Sequence, residues 1–224
     1  NNGKEAAQVT VTQHGLGGPG FVWLAVGKET LTSYLSGGKP YQIQIPAGKS
    51  VQLSASISEI AVLPNMLIHG IYDLVADRPV NVKVMMLPVL ENSIKFSKTA
   101  KVLAPDTHYL RGTFDGANRE VIPVEYNPQA EGPLTITLAD NKIDLYLRGV
   151  DATNGKPVIN YGNYGVLYTV SLPTKGVGRV SYYLLPRGGD YAGAIGIENP
   201  YTPWGPLATP LGRLHFGSDK SRDF

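Results

Sequence analysis

Apolar and polar residues alternate with a period of two along much of this chain, and turn-forming residues interrupt the alternation at short intervals. The clearest example is residues 161–197. There, alternating segments at 166–172 and 179–185 flank a turn that contains proline and glycine, and a third segment follows at 192–197. Side chains that alternate in this way suit a strand with one buried and one solvated face. The pattern predicts a β-meander over residues 161–197.

The same alternation predicts further strands, several of them joined by short turns. They are residues 7–12, the pair 41–45 and 51–55 around a Pro-Ala-Gly corner, the pair 66–75 and 80–87, and the hairpin 134–138 with 143–147. One short helix is predicted at residues 28–35, because Leu31, Tyr34 and Leu35 fall at helical spacing and Gly37 supplies a C-terminal stop.

Strands at intervals of about 8–12 residues, with turn residues between them, predict an all-β fold. We expect an antiparallel β-sandwich, immunoglobulin-like or jelly-roll-like, with the one short helix near residues 28–35. Either one elaborated sandwich spans residues 1–198, or two small ones span residues 1–88 and 89–198. Residues 199–224 are expected to form an extended arm, because a ladder cannot run through Pro200, Pro203, Pro206 and Pro210.

The two ends of the chain point to association. Asn2-Gly3 favours a hairpin turn, yet no strand precedes it. We expect either further sequence upstream of Asn1 or an open edge beside the strand at residues 7–12 that something else pairs. Large apolar residues of this strand and of the tail are the candidate contacts for assembly or a partner. They are Val9, Val11, Tyr201, Trp204, Leu207, Leu211 and Phe216.

The composition of the chain disfavours several classes of partner and site. The 224 residues carry a net charge of +2 with lysine and arginine scattered, which disfavours a nucleic-acid surface. No run approaches the roughly 18 apolar residues of a membrane span. The chain has no cysteine, so disulfides, zinc–thiolate sites and cysteine nucleophiles are excluded.

Two glycine motifs resemble nucleotide-binding sequences. Gly15, Gly17 and Gly20 match the dinucleotide spacing, but that motif needs a helix that begins at the glycines within a βαβ unit. A proline and an apolar segment intervene here, so we interpret the motif as a glycine loop. Gly48-Lys49-Ser50 resembles the end of a phosphate loop, but a predicted strand follows instead of a helix. We predict no cofactor.

Catalytic and metal-binding signals are weak. No two of the four histidines have metal-ligand spacing, and no metal site is predicted. His14, beside the glycines, and His108, near Asp106, are the two worth testing, whereas His69 fits a strand. Asp140, Asp144 and Asp151 fall at a spacing that favours Asx turns over a calcium loop. No serine has a hydrolase signature, so no catalytic residue is assigned.

Tyrosines are concentrated in the predicted meander. Exposed rings there, together with one tryptophan of the tail, are candidates for stacking against a sugar. They are Tyr164, Tyr182, Tyr191 and Trp204. The competing interpretation is that the tyrosines pack across strands at the rim of a sheet.

Several short segments occur together in this chain. They are Asn2-Gly3-Lys4 with Val9-Thr10-Val11, Gly17-Gly18-Pro19, Leu24-Ala25-Val26-Gly27-Lys28-Glu29, Ile45-Pro46-Ala47-Gly48-Lys49-Ser50, Gly162-Asn163-Tyr164-Gly165-Val166, and Pro186-Arg187-Gly188-Gly189 with Tyr191-Ala192-Gly193-Ala194. Over most of residues 1–197 the chain thereby resembles secreted bacterial surface proteins that accompany the copper amine oxidase N-terminal-like (stalk) module. The resemblance implies an exported envelope or surface protein with no catalytic residues to carry over. It does not imply copper.

We therefore predict a non-catalytic, secreted or cell-surface structural protein, such as a filament or surface-layer subunit. It would assemble by strand pairing or arm exchange with other copies or other surface proteins. The alternative is a carbohydrate-binding module that uses exposed tyrosines or Trp204. A second alternative is a hydrolase with a polar pocket in which His14 or His108 meets a carboxylate.

Overall fold

The computed structural model describes residues 1–105, 111–178, 180–184, 189–190, 192–198, 204–209 and 215–216. Contacts within the chain define two compact units. The first comprises Asn1–Lys101 and Gly189–Phe224, and the second comprises Val102–Gly188. Each unit is described by itself below.

In chain order, the elements are β1 (Ala7–Gly20), α1 (Trp23–Leu35), β2 (Tyr41–Ile45), α2 (Ala55–Ser58), β3 (Leu67–Ala76), α3 (Ser93–Phe96), β4 (Thr113–Phe114), β5 (Asn118–Val121), β6 (Leu147–Val150), β7 (Pro157–Asn160), β8 (Leu167–Val170), β9 (Gly189–Asp190), β10 (Gly193–Ile197), β11 (Trp204–Thr209) and β12 (His215–Phe216). The fold is β-rich, with mostly antiparallel sheets, as predicted. The sheets have two or three strands each, and the β-sandwich arrangement stays a prediction.

The first unit is built on an antiparallel sheet with the order β2-β1-β3. Val9 of β1 lies opposite Ile43 of β2 and Ala76 of β3. Ala7, Val9 and Val11 are buried and alternate with half-buried polar residues, so one face of the central strand forms the core. The strand predicted at residues 7–12 is confirmed, but it extends to Gly20.

Helix α1 packs directly on the glycines of β1. A Cβ on Gly15 would lie 2.3 Å from the backbone N of Tyr34, and a Cβ on Gly17 would lie 2.5 Å from Oγ1 of Thr30. The predicted glycine loop is therefore wrong, since these glycines let a strand and a helix approach closely. β1 is antiparallel to both neighbours, so α1 does not join parallel strands, and the context of the dinucleotide motif is missing.

The helix begins at Trp23 and not at residue 28 as predicted. Residues 21–26 are rich in aromatic and β-branched side chains and favour a strand locally. Tertiary contacts override this preference, because Leu24 and Val26 are buried in the contact with the sheet.

The meander predicted at residues 161–197 is wrong. β8, in the first predicted segment, pairs in parallel with β5, and β10, in the third, pairs with β11, so neither pairs with another segment of the predicted meander. Residues 180–184 lie between them and are not in a strand. The predicted strands at 51–55, 80–87, 134–138 and 143–146 are also absent.

The second unit contains an antiparallel sheet, β4-β6-β7, and the parallel pair β5-β8. Leu147 of β6 and Val158 of β7 are its buried apolar side chains among the described residues. In the first unit, β10 pairs with β11, which runs through Pro206 of the predicted arm. The prediction that no ladder runs through this tail is therefore wrong over Trp204–Thr209. Among the described residues β11 has one neighbour, so its other side is an edge, where proline is tolerated.

The predicted domain limits differ in position from those of the compact units. The limit between residues 88 and 89 falls inside the first unit, to which the chain also returns at Gly189. The predicted division into independently folding parts at 1–88, 89–198 and 199–224 stays a prediction.

Candidate functional site

Val9 and Val11, two of the candidate assembly contacts, lie in the core. Their exposed fractions are 3% and 0%, and β1 is paired with β2 on one side and β3 on the other along residues 9–11. The open edge predicted beside residues 7–12 is therefore contradicted. The side chain of Asn1 donates to the carbonyls of Glu5 and Ile45, which holds the N-terminal turn against the end of β2.

Leu16 and Gly18 lie in the part of β1 that β2 does not reach. Their N–H groups are satisfied by α1, because Leu16 donates to Ser33 Oγ at 3.4 Å and Gly18 donates to Glu29 Oε2 at 2.9 Å. A helix that covers a strand edge removes a template for another chain.

The tail candidates divide into two groups. Tyr201 and Leu211 lie outside the described residues. The backbones of Trp204, Leu207 and Phe216 pair with Ile197, Ile195 and Gly189, so these positions take part in ladders of the first unit.

A different segment exposes apolar side chains in succession, and we call residues 80–90 the apolar strip. Among its members, Val82, Val84, Met86, Val89 and Leu90 are exposed by 65%, 97%, 69%, 71% and 101%. The strip contains no strand, although its alternation predicted one at 80–87. Large apolar side chains exposed this close together in sequence are typical of an interaction site.

Two of the stacking candidates are exposed in the second unit. Tyr164 is 69% exposed and Tyr182 is 64% exposed, as are their neighbours Tyr161 and Tyr183, at 54% and 83%. Tyr191 lies outside the described residues, and Trp204 is described by its backbone alone. The predicted packing across strands holds for Tyr161, whose ring meets that of Tyr146 edge-on at 6.0 Å between centroids, beside the Leu147–Asn160 pair of β6 and β7.

His14 is enclosed by aromatic rings. Its imidazole stacks on Tyr72 at 5.8 Å between centroids and meets the edge of Tyr41 at 5.6 Å. The Nδ1 atom is buried without a hydrogen-bond partner. No hydrogen bond of the described residues joins this ring to a carboxylate, and His108 lies outside them, so the hydrolase pocket stays a prediction. Burial lowers the pKa of His69 in β3.

Asp151 is a buried carboxylate held by a ring of donors. Its Oδ2 accepts from Arg111 Nε at 3.0 Å and Nη2 at 2.8 Å, and Oδ1 accepts from the N–H and hydroxyl of Thr153. Asn154 completes the set. The hydrogen bond from Arg111, then that from Thr153, holds the pKa of Asp151 well below its ordinary value.

A second polar network surrounds Asp144. Arg119 forms an ion pair with its Oδ1, and Tyr168 donates to its Oδ2. Asn163 donates to the Tyr168 hydroxyl at 2.7 Å and accepts from the N–H of Leu147 at 2.8 Å. Burial, followed by the hydrogen bond to Asp144, raises the pKa of Tyr168.

These networks explain the acidic turns that the sequence singles out. Asp140 accepts from the N–H groups of Lys142, Ile143 and Asp144, an Asx-turn arrangement that lowers its pKa. The Asx interpretation is confirmed at Asp140 and Asp151. Sequence reasoning did not identify Arg111, Arg119, Asn163 or Tyr168, because their partners are distant in the chain.

Two further features of the described residues bear on function. No group of three or more histidine, aspartate or glutamate side chains is arranged to hold a metal ion within this part of the chain. No described helix has the length and apolar character needed to cross a membrane. An open concavity of about 530 Å³ is lined by residues 1–5 and 78–81, with the Glu5–Arg78 ion pair at its wall.

Comparisons with protein-family models, with curated proteins and with solved structures gave no match to this chain. The resemblance to secreted bacterial surface proteins therefore stays an expectation from the sequence.

Proposed function

We propose that the chain is a non-enzymatic structural protein of the cell surface or the secreted space, and that it assembles with other copies by strand pairing. A sandwich-like arrangement of its sheets is part of this proposal. The observation that carries it is the apolar strip, where Val84 and Leu90 are as exposed as in an extended peptide. The exported location rests on the resemblance to secreted bacterial surface proteins.

The exposed side chains of the strip provide the driving force for assembly. Full burial of a valine, leucine or methionine side chain contributes about 1.5–3 kcal/mol. The five exposed members of the strip lie within nine residues, from Val82 to Leu90. A second copy that covers them gains this free energy, which the isolated chain does not obtain.

The hydrogen bonds of Asp151 and Asp144 indicate that these two carboxylates have a structural role. The oxygens of Asp151 and Asp144 are occupied by donors from the protein itself. Groups saturated in this way stabilise the turns that they join.

Sedimentation velocity of the purified chain over a range of concentrations tests the proposal, with electron microscopy of the same samples. We expect species larger than the monomer whose fraction grows with concentration, and ordered assemblies in the micrographs. A chain that remains monomeric at every concentration would contradict the proposal.

A carbohydrate-binding role is the second candidate, and the exposed tyrosines of the second unit favour it. Aromatic faces in water are suited to stacking on sugar rings. Pull-down on peptidoglycan, chitin and cellulose tests it, with the double substitution Tyr164→Ala and Tyr182→Ala. Val177→Ala is the matched control, since Val177 is 75% exposed in the same unit. Retention that the tyrosine substitutions abolish supports this role, and a chain that elutes unbound excludes it for these polymers.

A further inference from the structure

We propose that residues 80–87 of one copy add a strand to the outer edge of β3 in a second copy. This inference rests on the proposed self-assembly and deepens it, because it names the donor and the acceptor. We call residues 80–87 the donor segment and the side of β3 that faces away from β1 the acceptor edge.

The hydrogen bonds between β1 and β3 show which backbone groups of β3 belong to the acceptor edge. Asp77 donates its N–H to the carbonyl of Gln8 at 3.1 Å, so the backbone of residue 77 points towards β1. Backbone groups of successive residues in an antiparallel strand point to opposite sides. The N–H and C=O groups of Gly70, Tyr72, Leu74 and Ala76 therefore point outward, and no described strand pairs with them.

The acceptor edge carries neither lysine nor proline, and both register shifts of the β1–β3 ladder, between Val11 and Gln13 and between Gly17 and Gly20, place the extra residue in β1. Natural edge strands carry lysine, proline or bulges that disfavour pairing. β3 is ten residues long, and its one carboxylate, Asp73, accepts the hydroxyl of Tyr34 at 2.6 Å within the unit. The edge of β2 is half as long, and Asn1 binds the carbonyl of Ile45 at its end. The edge of β3 is thus the better template.

The donor segment follows β3 directly, yet it does not fold back on the acceptor edge of its own chain. The N–H of Gln8 donates to Asp77 Oδ1 at 2.7 Å, and Arg78 forms an ion pair with Glu5 at 2.5 Å. These contacts hold the chain on the β1 side for two residues beyond the strand, and Pro79 follows. The donor is directed away from the edge that it matches.

Donor and acceptor are complementary in pattern and length. Val82, Val84 and Met86 are exposed at alternate positions, which a strand would place on one face. The donor has eight residues, and the acceptor strand has ten. Lys83, the one charged residue of the donor, donates to the carbonyl of Ser97 at 2.9 Å, so its charge is already held within its own chain.

The two surfaces are different parts of the chain, so the contact is head to tail. A contact of this type continues from copy to copy and produces an open filament unless the rotation closes a ring. This geometry distinguishes the proposal from a symmetric dimer that buries the strip against itself.

The test uses one variant for each surface. Val84→Asp places a charge in the donor at a side chain that is 97% exposed, so the fold of the single chain is not disturbed. Leu74→Pro removes an outward N–H of the acceptor edge, where proline is compatible with an edge strand. Val75→Lys is a second acceptor variant, at a side chain 65% exposed, should Leu74→Pro fail to fold. Val177→Asp is the control in the second unit.

Sedimentation velocity is measured for each variant and for an equimolar mixture of a donor and an acceptor variant. We expect the wild type and Val177→Asp to assemble, each donor or acceptor variant to be monomeric, and the mixture to form a one-to-one dimer. The intact donor of one variant then occupies the intact acceptor of the other.

Assembly of Val84→Asp to the wild-type extent, or a mixture that stays monomeric, would overturn the assignment of the two surfaces while self-assembly itself stands. A wild-type chain that does not assemble would instead remove the proposed function.

Discussion

Gly17 shows at the scale of one residue why this sheet and helix fit together. A Cβ there would lie 2.5 Å from Thr30 Oγ1 and 2.6 Å from the carbonyl oxygen of Val26. The sequence marks Gly15 and Gly17 as unusual by their spacing, but it does not show what approaches them. That contact is made by a helix whose start, Trp23, local propensity assigns to a strand.

We expect Gly17→Ala to lower the free energy of unfolding by about 1–3 kcal/mol, since the added methyl group overpacks a contact with the backbone. Gly27→Ala is the matched control within α1, because its Cβ would meet only Ala192 Cβ at 3.7 Å. Alanine favours a helix interior by up to about 1 kcal/mol over glycine, so this variant should be more stable. Urea unfolding followed by circular dichroism measures both. Equal effects of the two substitutions would contradict the close contact.

Asp151 makes stability depend on pH. Its pKa is lower in the folded chain than the ordinary value of 3.8, so its contribution is complete above that value and is lost as pH falls below it. We expect Asp151→Asn to unfold at lower urea concentration than the wild type at pH 7, and the difference to shrink between pH 5 and pH 2.

The control for this pH series is Glu125→Gln. Glu125 pairs with Lys175 at 3.2 Å, and both side chains are more than half exposed. An exposed pair contributes about 0–1 kcal/mol, so little change is expected at any pH. Parallel curves for wild type and Asp151→Asn over the whole range would contradict the role of the buried carboxylate.

At the scale of elements, the parallel pair β5-β8 is fixed by a polar network and not by a turn. Arg119 of β5 and Tyr168 of β8 both contact Asp144, which lies in the turn after Asp140. This network joins three parts of the second unit. The sequence predicts a hairpin that pairs residues 134–138 with residues 143–147. The network takes its place, because Asp144 is engaged as an acceptor and its neighbours form the turn.

Removal of the Tyr168 hydroxyl should weaken the second unit. Tyr168→Phe leaves Asp144 and Asn163 each without one hydrogen bond, and we expect a loss of about 1–2 kcal/mol. Tyr126→Phe is a control, since its hydroxyl donates to the carbonyl of Gly132 at an exposed site. Thermal unfolding distinguishes the two. A loss for Tyr126→Phe as large as that for Tyr168→Phe would contradict the importance of the network.

Alternation identifies strands but not their partners. It correctly predicts β2 and β3, and the first half of β1, where apolar side chains face the core. It fails at 51–55 and 80–87, which have the same local pattern but pair with no strand among the described residues. Pairing also depends on the direction in which the chain continues after a strand. After β3, this direction is set by the hydrogen bond between Gln8 and Asp77 and by the ion pair between Arg78 and Glu5.

At the scale of the whole molecule, two of the contacts that the sequence predicts for association are wrong. Val9 and Val11 are in the core, and the N-terminal strand has no open edge beside residues 9–11. Alternation over residues 80–87 predicts an ordinary strand of the sheet, because the local pattern does not distinguish a paired strand from an unpaired one. The failed strand prediction at 80–87 is therefore the signal for the proposed donor.

Amide hydrogen exchange of the wild-type chain tests the central claim most directly, at a low concentration and at one where assembly is complete. Assembly should slow exchange at residues 80–87 and at Tyr72, Leu74 and Ala76, because these N–H groups become paired or shielded in the added strand. Exchange at Lys142 and Ile143, whose N–H groups bind Asp140, should not change. Equally fast exchange of residues 80–87 at both concentrations, in a chain that does assemble, would contradict the account.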